Sequence, residues 1–286
     1  LSLEPLLKWT GSKRKLAPVI QRAYDCAPAK GYVEPFAGAA CVFGYRYGLD
    51  LDPQKVEVVL GDDNARLMAF YRLVRGQAAD MISELAALPS GVGWKRFYPI
   101  YRAELNTWKP GPIDVATPSK AALFLWLNRA SFNGLYRVNA AGDMNAPAGS
   151  YETLSLPPKS LILDWQKALQ PVALVTGGYA DTARTAGKGW QVYMDPPYLN
   201  NYDGYTPQTW SFQEQVRVAM AASEAVQRGC HVIASNAADS RLSAVWYGLG
   251  FRVRAEQVRH SISASAEGRK MASEVLFIGG EQRRSR

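Results

Sequence analysis

The sequence predicts a doubly wound α/β fold interrupted by a mainly helical insertion. Three observations carry that expectation. Between residues 32 and 74 a short apolar strand, a small-residue turn, a second strand ending in acids and a capped helix follow one another. The alternation breaks over residues 73–160, and it returns after residue 172. Strands and helices in that rhythm build a parallel sheet with crossover helices on its faces.

In chain order, Lys13 to Asp25 reads as a first helix with Leu16, Val19, Ile20 and Ala23 on one side. Tyr32 to Phe36 reads as a strand, and Ala37-Gly38-Ala39-Ala40 as the turn after it. Val56 to Leu60 is β-branched and compact, a second buried strand closed by Gly61-Asp62-Asp63-Asn64. Asn64 then caps a helix that continues through Leu67, Phe70, Tyr71 and Val74. In the insertion, Pro118 to Arg129 is the clearest helix, and Ser131 to Tyr151 is polar and rich in Asn and Gly. Strands return at Val172 to Thr176, Gln191 to Met194 and His231 to Ala234, followed by a hairpin-like end from Phe251 to His260 and Glu274 to Ile278. The expected organisation is one α/β domain from residues 1–72 and 161–286, with a separate domain over 73–160.

Composition narrows the chemistry. Of 286 residues, 48% are hydrophobic, enough for a sizeable core, yet no stretch of about eighteen apolar residues could span a membrane. The first residues do not read as a secretory signal. Cys26, Cys41 and Cys230 are scattered and form no C-x-x-C, and with only His231 and His260 a polyhistidine metal centre and the zinc-deaminase signature are excluded. The expectation is a reducing, cytoplasmic setting and chemistry without a metal. A net charge of +8 points to a polyanionic partner or, more plainly, to a solubilising surface. Lys8, Lys13, Arg14 and Lys15 crowd the start, and from Arg241 onward nine Lys or Arg face four acids.

The sharpest motif is Asp195-Pro196-Pro197-Tyr198, directly after the apolar strand Gln191 to Met194. Functional groups gather at the carboxyl ends of strands in open α/β sheets. Two prolines stiffen the turn and remove N–H donors, leaving carbonyl oxygens to accept. Asp195 adds a carboxylate acceptor, and Tyr198 a flat ring for stacking. Such a corner suits an exocyclic amino group, whose lone pair is delocalised into its ring until its hydrogens are held. The same residues would also make a rigid turn whose Asp caps a neighbouring segment.

Glu34-Pro35-Phe36-Ala37-Gly38-Ala39-Ala40 forms a second signal, where small residues let a ligand approach the backbone. It is a poor dinucleotide fingerprint, because Ala40 stands where a second glycine is expected. Asp62, about twenty-five residues on, occupies the position of an acid that binds ribose hydroxyls. Strand–helix packing and a helix cap are the structural alternatives. Lys8-Trp9-Thr10-Gly11-Ser12-Lys13 places an aromatic ring and cations before the first helix, either to close a pocket or as a surface tail.

Taken together, D-P-P-Y, K-W-x-G-x-K, E-P-F-x-G-x and a strand-end Asp resemble the Dam-type DNA adenine-N6 methyltransferases of the alpha, or D12, class. The resemblance spans Leu7 to about Ile278. It includes Arg129-Ala130-Ser131-Phe132-Asn133-Gly134-Leu135-Tyr136-Arg137-Val138-Asn139, similar to the family's hairpin, and its continuation Asn145 to Tyr151. Ser235-Asn236 and Arg259-His260-Ser261-Ile262-Ser263 echo two further elements. The resemblance implies a Rossmann-like S-adenosylmethionine-dependent methyltransferase sheet, an inserted target-recognition domain with a β-hairpin, and double-stranded DNA as partner, with a monomer favoured.

It also implies roles. Asp195, Pro196, Pro197 and Tyr198 would form the catalytic corner that holds a flipped adenine. Trp9, Lys13, Phe36, Ala37 and Gly38 would line the cofactor pocket with Asp62, Asp63, Tyr179 and Asp195. Phe132 would wedge into the base stack, helped by Asn133. Leu135, Arg137 and Pro147 would read base edges, Lys8 and Tyr151 would contact the first pair, and Arg129 and Asn139 complete the DNA-binding set. Matching positions in enzymes of that specificity make GATC the expected target. The chain departs from the family at Ala40 and at Gly177-Gly178-Tyr179, where a Gly-Asp pair would place a carboxylate near the cofactor's adenine. On pattern alone, Asn133-Gly134 is an ordinary hairpin turn, and Arg137 is a guanine reader in type. The rival readings are transfer to N4 of cytosine, a nicotinamide-dependent oxidoreductase, and a DNA-binding protein whose cofactor pocket no longer functions.

Overall fold

A computed structural model describes residues 2–24, 29–199, 210–259 and 271–280. The elements in order are α1 (Ala17–Tyr24), β1 (Gly31–Glu34), α2 (Cys41–Arg46), β2 (Glu57–Asp62), α3 (Ala65–Ala87), α4 (Tyr98–Asn106), α5 (Pro118–Ala130) and α6 (Lys159–Leu169). There follow β3 (Ala173–Thr176), α7 (Tyr179–Arg184), β4 (Gln191–Met194), α8 (Phe212–Gln227), β5 (His231–Ala237), α9 (Ser240–Gly248), β6 (Arg252–Arg259) and β7 (Met271–Gly279). The strands make one seven-stranded sheet in the order β3-β2-β1-β4-β5-β7-β6. β1 to β5 are parallel, and β7 runs antiparallel between β5 and β6. This is the expected α/β architecture, with the order reversing between β1 and β4.

Strands buried on both faces need no polar alternation, and β1 and β4 are buried at every residue. Their side chains divide between two cores. Tyr32, Leu60, Tyr193 and Ile233 face a large cluster that includes Phe43, Phe70, Trp126 and Trp165. Val33, Val59, Val192 and Met194 face a second cluster with Val218, Trp246 and Phe277. There Trp246 stacks on Phe277 with ring centroids 4.5 Å apart.

Element ends show which local rule won. The helix expected from Lys13 begins as turns, Leu16 and Ala17 both donating to the Lys13 carbonyl, and becomes α1 only at Ala17. Pro18 has no N–H to continue a helix begun earlier, so it is confined to the first turn. The residues beyond Tyr24 on which the expected helix end and Cys26 fall lie outside the described residues, as do the Arg-rich end and Ser261-Ile262-Ser263. Pro35 ends β1 at Glu34, two residues short of the expected strand. β2 extends through Asp62 because Gly61 and Asp62 pair with Val175 and Thr176. β5 extends to Ala237 because β7 covers it. Asn64 caps α3 as expected, its side chain accepting from Leu67 N at 3.1 Å.

The expected division at residues 72/73 falls inside α3, which stays helical to Ala87 apart from Gln77. The middle segment is mainly helical, and α5 begins with Pro118 at its first position behind the cap Thr117. The expected hairpin is present as two separated antiparallel bridges, Ser131↔Ala148 at its base and Val138↔Met144 near its tip, closed over Asn139–Asp143. Asn133-Gly134 lies between the two bridges in a single turn, with φ +52° and +72°, closed by Leu135 N donating to Phe132 O at 3.0 Å. Gly134 abuts Lys8 so closely that an added Cβ would sit 2.2 Å from the lysine's Cβ. That packing fixes the turn without joining two strands.

Ala40 shows why a glycine was expected there. It adopts φ +49°, ψ +41° ahead of α2 and is fully buried. An L-residue in this region costs about 1–2 kcal/mol. Ala40→Gly is therefore expected to raise stability by about 1 kcal/mol, seen as a higher urea midpoint. A lower midpoint would contradict the strain assignment.

Candidate active site

The parallel strands bring Glu34, Asp62 and Asp195 to one edge, at or just beyond the carboxyl ends of β1, β2 and β4. Asp195 has two partners from distant parts of the chain. Lys13 Nζ lies 3.1 Å from Oδ1, and Ser235 Oγ donates to the same oxygen at 2.8 Å. Ser235 in turn shares a 2.7 Å hydrogen bond with Tyr193 OH. Both contacts on Asp195 fall on Oδ1, so neither occupies Oδ2. Burial pushes the Asp195 carboxyl above its ordinary value, while the Lys13 charge and the Ser235 hydroxyl pull it back.

Lys13 is only 5% exposed, and its ammonium also donates to Gly11 O at 2.5 Å and lies 4.6 Å from the Tyr198 ring centroid. The Tyr198 hydroxyl donates to Glu274 Oε2 at 2.9 Å. Pro196 is buried, and Pro197 half-buried. The Pro197 carbonyl accepts from Gln215 Nε2 at 2.6 Å, which fills one of its two acceptor positions. Gln215, from α8, also accepts from Asn236 Nδ2 at 3.0 Å. α8 thus braces the corner from behind, where the removal of N–H groups by two prolines left a carbonyl needing a donor.

The turn after β1 leads to Asp62. Gly38 N donates to Asp62 Oδ2 and Asn64 N to Oδ1, each at 3.0 Å. Desolvation is the largest effect on Asp62, and the neighbouring Asp63 charge adds to it, so its pKa is pushed up to about 7. Gly38 has φ +48°, and a Cβ there would come within 3.0 Å of the Trp9 ring. Trp9 itself stacks on Tyr136 at 5.6 Å. Phe36 stacks on Tyr179 at 5.1 Å, and Trp210 stands edge-on to Phe36 at 5.8 Å. Ala37 is buried and Asp63 exposed. Gly178 precedes α7 in open space, with nothing within 4 Å of an added Cβ. Among the described residues no group of three or more His, Cys, Asp or Glu could hold a metal ion.

A third group lies along the middle segment. Phe132 and Asn133 are exposed at the turn, as is Pro147, whose carbonyl accepts from Phe132 N at 3.0 Å. Leu135 is half-buried. Lys8 is held by its backbone, N donating to Asn128 Oδ1 at 2.9 Å and O accepting from Asn128 Nδ2 at 2.7 Å, with Nζ 4.4 Å from the Tyr151 ring centroid. Arg137 is exposed. Asn139 closes the hairpin tip, its Oδ1 accepting from Ala141 N and Asp143 N. Arg129 differs from the rest of this group. Its guanidinium turns inward, Nε donating to Leu6 O at 2.8 Å and a terminal nitrogen reaching Pro5 O at 3.1 Å. Sequence reading missed Trp210, Gln215, Ser235 as an Asp195 partner, and Glu274; only the Ser235-Asn236 pair had given any signal.

A doubly wound sheet with acids along its carboxyl edge and an aromatic wall beside them makes this a Rossmann-like α/β protein. The particular family is given by sequence: the chain belongs to the D12 class N6 adenine-specific DNA methyltransferases, matching that family over residues 9–262. It is 32% identical over 279 residues to a DNA adenine methylase of Salmonella typhi, covering 95% of this chain and 94% of that protein. It is 30% identical over 278 residues to a DNA adenine methylase of Escherichia coli K12, covering 95% and 94%. A DNA N-6-adenine-methyltransferase of Escherichia phage P1 is 30% identical over 282 residues; 96% of this chain spans 35% of that protein's length. No described helix is long and apolar enough to cross a membrane.

Gln215 is 1% exposed and satisfies the half-buried Pro197 carbonyl and the buried Asn236 amide at once. Gln215→Ala leaves the Pro197 carbonyl and the Asn236 amide without that partner, so it is expected to cost about 1–3 kcal/mol in chemical denaturation. An unchanged midpoint would remove Gln215 from this role.

Proposed function

We propose that this protein transfers a methyl group from S-adenosylmethionine to N6 of a flipped-out adenine in double-stranded DNA, with GATC as target sequence. The observation that carries the reading is the Asp195 carboxylate, held on one oxygen by Lys13 and Ser235 beside the Tyr198 ring.

The pocket residues fit the cofactor by their chemistry. The Gly38 turn is a cradle that a Cβ would fill toward Trp9. Asp62, with each oxygen bonded once to a backbone N–H, keeps acceptor capacity for ribose hydroxyls. Phe36, Tyr179 and Trp210 offer ring faces to a purine, with Ala37 and Asp63 in the turns beside them. Lys13 offers a buried cation to a carboxylate. When bound, S-adenosylmethionine supplies a methyl group already activated by its sulfonium.

The remaining work is alignment and desolvation. Asp195 accepts an N–H hydrogen bond from the adenine amine and so localises its lone pair toward the donor. Tyr198 stacks on the base, its hydroxyl tied back to Glu274, which offsets part of the few kcal/mol needed to unstack a nucleotide. Pro196 and Pro197 keep the corner from yielding. On the DNA side, exposed Phe132 serves as the wedge and Asn133 as its polar neighbour. Leu135, Arg137 and Pro147 face base edges, Lys8 and Tyr151 the first pair, and Asn139 holds the hairpin tip. Arg129 acts through structure, locking residues 5–6 beneath that surface.

Asp195→Ala is expected to lower the rate of N6-methyladenine formation by at least about 10²-fold while duplex binding is retained. Nucleoside mass spectrometry reads the product and separates it from N4-methylcytosine. Turnover like that of the wild type, or N4-methylcytosine as product, would overturn the reading.

The acid at Asp62 gives a pH test. A carboxyl with a pKa of about 7 is neutral below that pH and charged above it, and the charged form is the stronger acceptor. Affinity for S-adenosylmethionine is therefore expected to rise as pH increases through about 7. Asp63→Asn removes the neighbouring charge, lowers the Asp62 pKa and shifts the rise to lower pH. Calorimetric titration checks both, and a shift to higher pH in Asp63→Asn would contradict the assignment.

A further inference from the structure

The hairpin holds an arginine that is exposed yet not free to turn. Asn145 lies opposite Arg137 across the Val138↔Met144 bridge, and its N–H donates to Arg137 O at 2.9 Å. Its Oδ1 accepts from Arg137 Nε at 2.7 Å, and its carbonyl accepts from Arg137 NH2 at 3.1 Å. A guanidinium carries five N–H groups in one plane. Asn145 occupies Nε–H and one hydrogen of NH2, which together form the side edge of the fork. Among the described residues nothing else engages the end edge, shared by NH1 and NH2.

The frame around this pair is also fixed. Asn106, in α4, brackets the Met144 backbone, its Nδ2 donating to Met144 O at 3.0 Å and its Oδ1 accepting from Met144 N at 2.7 Å. Lys109 pairs with Asp143 and donates to Ala141 O at 3.1 Å. Asn139 closes the tip from inside. The open edge of Arg137 therefore points from a rigid support.

We infer that Asn145 is a specificity-determining, positioning residue: it takes the side edge of Arg137 and presents the end edge to the two major-groove acceptors of a guanine. This deepens the proposed DNA methylation and rests on it. Guanine offers N7 and O6 side by side, a match for two parallel N–H groups. An arginine held in advance loses less rotamer freedom when it engages that edge, so the match is rewarded more and a wrong base is penalised more. A loose arginine would swing to a phosphate and discriminate less.

The test measures kcat/KM for methylation of a GATC duplex and of duplexes in which each guanine in turn is 7-deazaguanine, which lacks the N7 acceptor. The enzymes are the wild type, Arg137→Ala, Asn145→Ala, Asn145→Asp and the double alanine variant, each checked for an unchanged circular dichroism spectrum. At one guanine the wild type is expected to lose about tenfold, and Arg137→Ala to lose nothing further there. Asn145→Ala keeps the carbonyl contact and loses the Oδ1 contact, so its penalty is expected to fall below about threefold. Asn145→Asp retains an acceptor at that place and is expected to restore the wild-type penalty. In the Arg137→Ala background, Asn145→Ala is expected to change nothing.

A wild-type penalty in Asn145→Ala, no restoration by Asn145→Asp, or a full penalty in Arg137→Ala would overturn the inference and leave adenine methylation standing. Absence of N6-methyladenine from every wild-type reaction would overturn both.

Discussion

Asp195 has to keep a carboxylate at the end of a strand whose every residue is buried, and the surrounding structure answers that demand. Removing a charge from water costs several kcal/mol unless partners replace the solvent. Lys13, itself almost wholly buried, supplies a charge at 3.1 Å, and Ser235 a hydroxyl at 2.8 Å. The two arrive from opposite ends of the chain, so the corner exists only when the first turn and β5 are both in place. Their convergence on one oxygen gives the acid a held side and a working side. Tyr198, braced by Glu274, closes the ring of contacts around the lysine.

The same N-terminal stretch joins this corner to the proposed DNA-facing surface. Lys8 is clipped to Asn128 through both backbone groups, Trp9 lies on Tyr136, and Lys13 reaches Asp195. Gly134 can pack on Lys8 only because it lacks a Cβ. Residues 8–13 thus form a strap whose one end touches the Asn133-Gly134 turn and whose other end brings a charge to Asp195. Under the proposed function those two regions need a fixed relation, and Arg129 secures the strap by holding residues 5 and 6.

Much of this was legible in the chain, for physical reasons. β4 has the bounds its apolar run predicts, because a strand buried on both faces leaves an uninterrupted signal. Asn64 announced α3, since a cap acts within four residues. Asp195-Pro196-Pro197-Tyr198 stood out because two prolines after a strand cannot continue pairing. Gln215, Glu274 and Trp210 were illegible as site residues, and Ser235 as the partner of Asp195, because these contacts are tertiary and periodicity does not encode them. The resemblance puts Arg129 on the DNA side, and no sequence pattern says that its guanidinium turns inward to Pro5 and Leu6. The Asn133-Gly134 turn interrupts one arm of the hairpin instead of forming its tip because Gly134 is held against Lys8, a contact outside its own neighbourhood in sequence.

A crystal structure of the protein with a non-reactive amine analogue of S-adenosylmethionine and a GATC duplex tests the central claim most directly. The account predicts the target adenine outside the helix, its N6 within hydrogen-bond distance of Asp195 and its ring against Tyr198. An adenine still stacked in the duplex, or extruded to a place remote from Asp195, would contradict it.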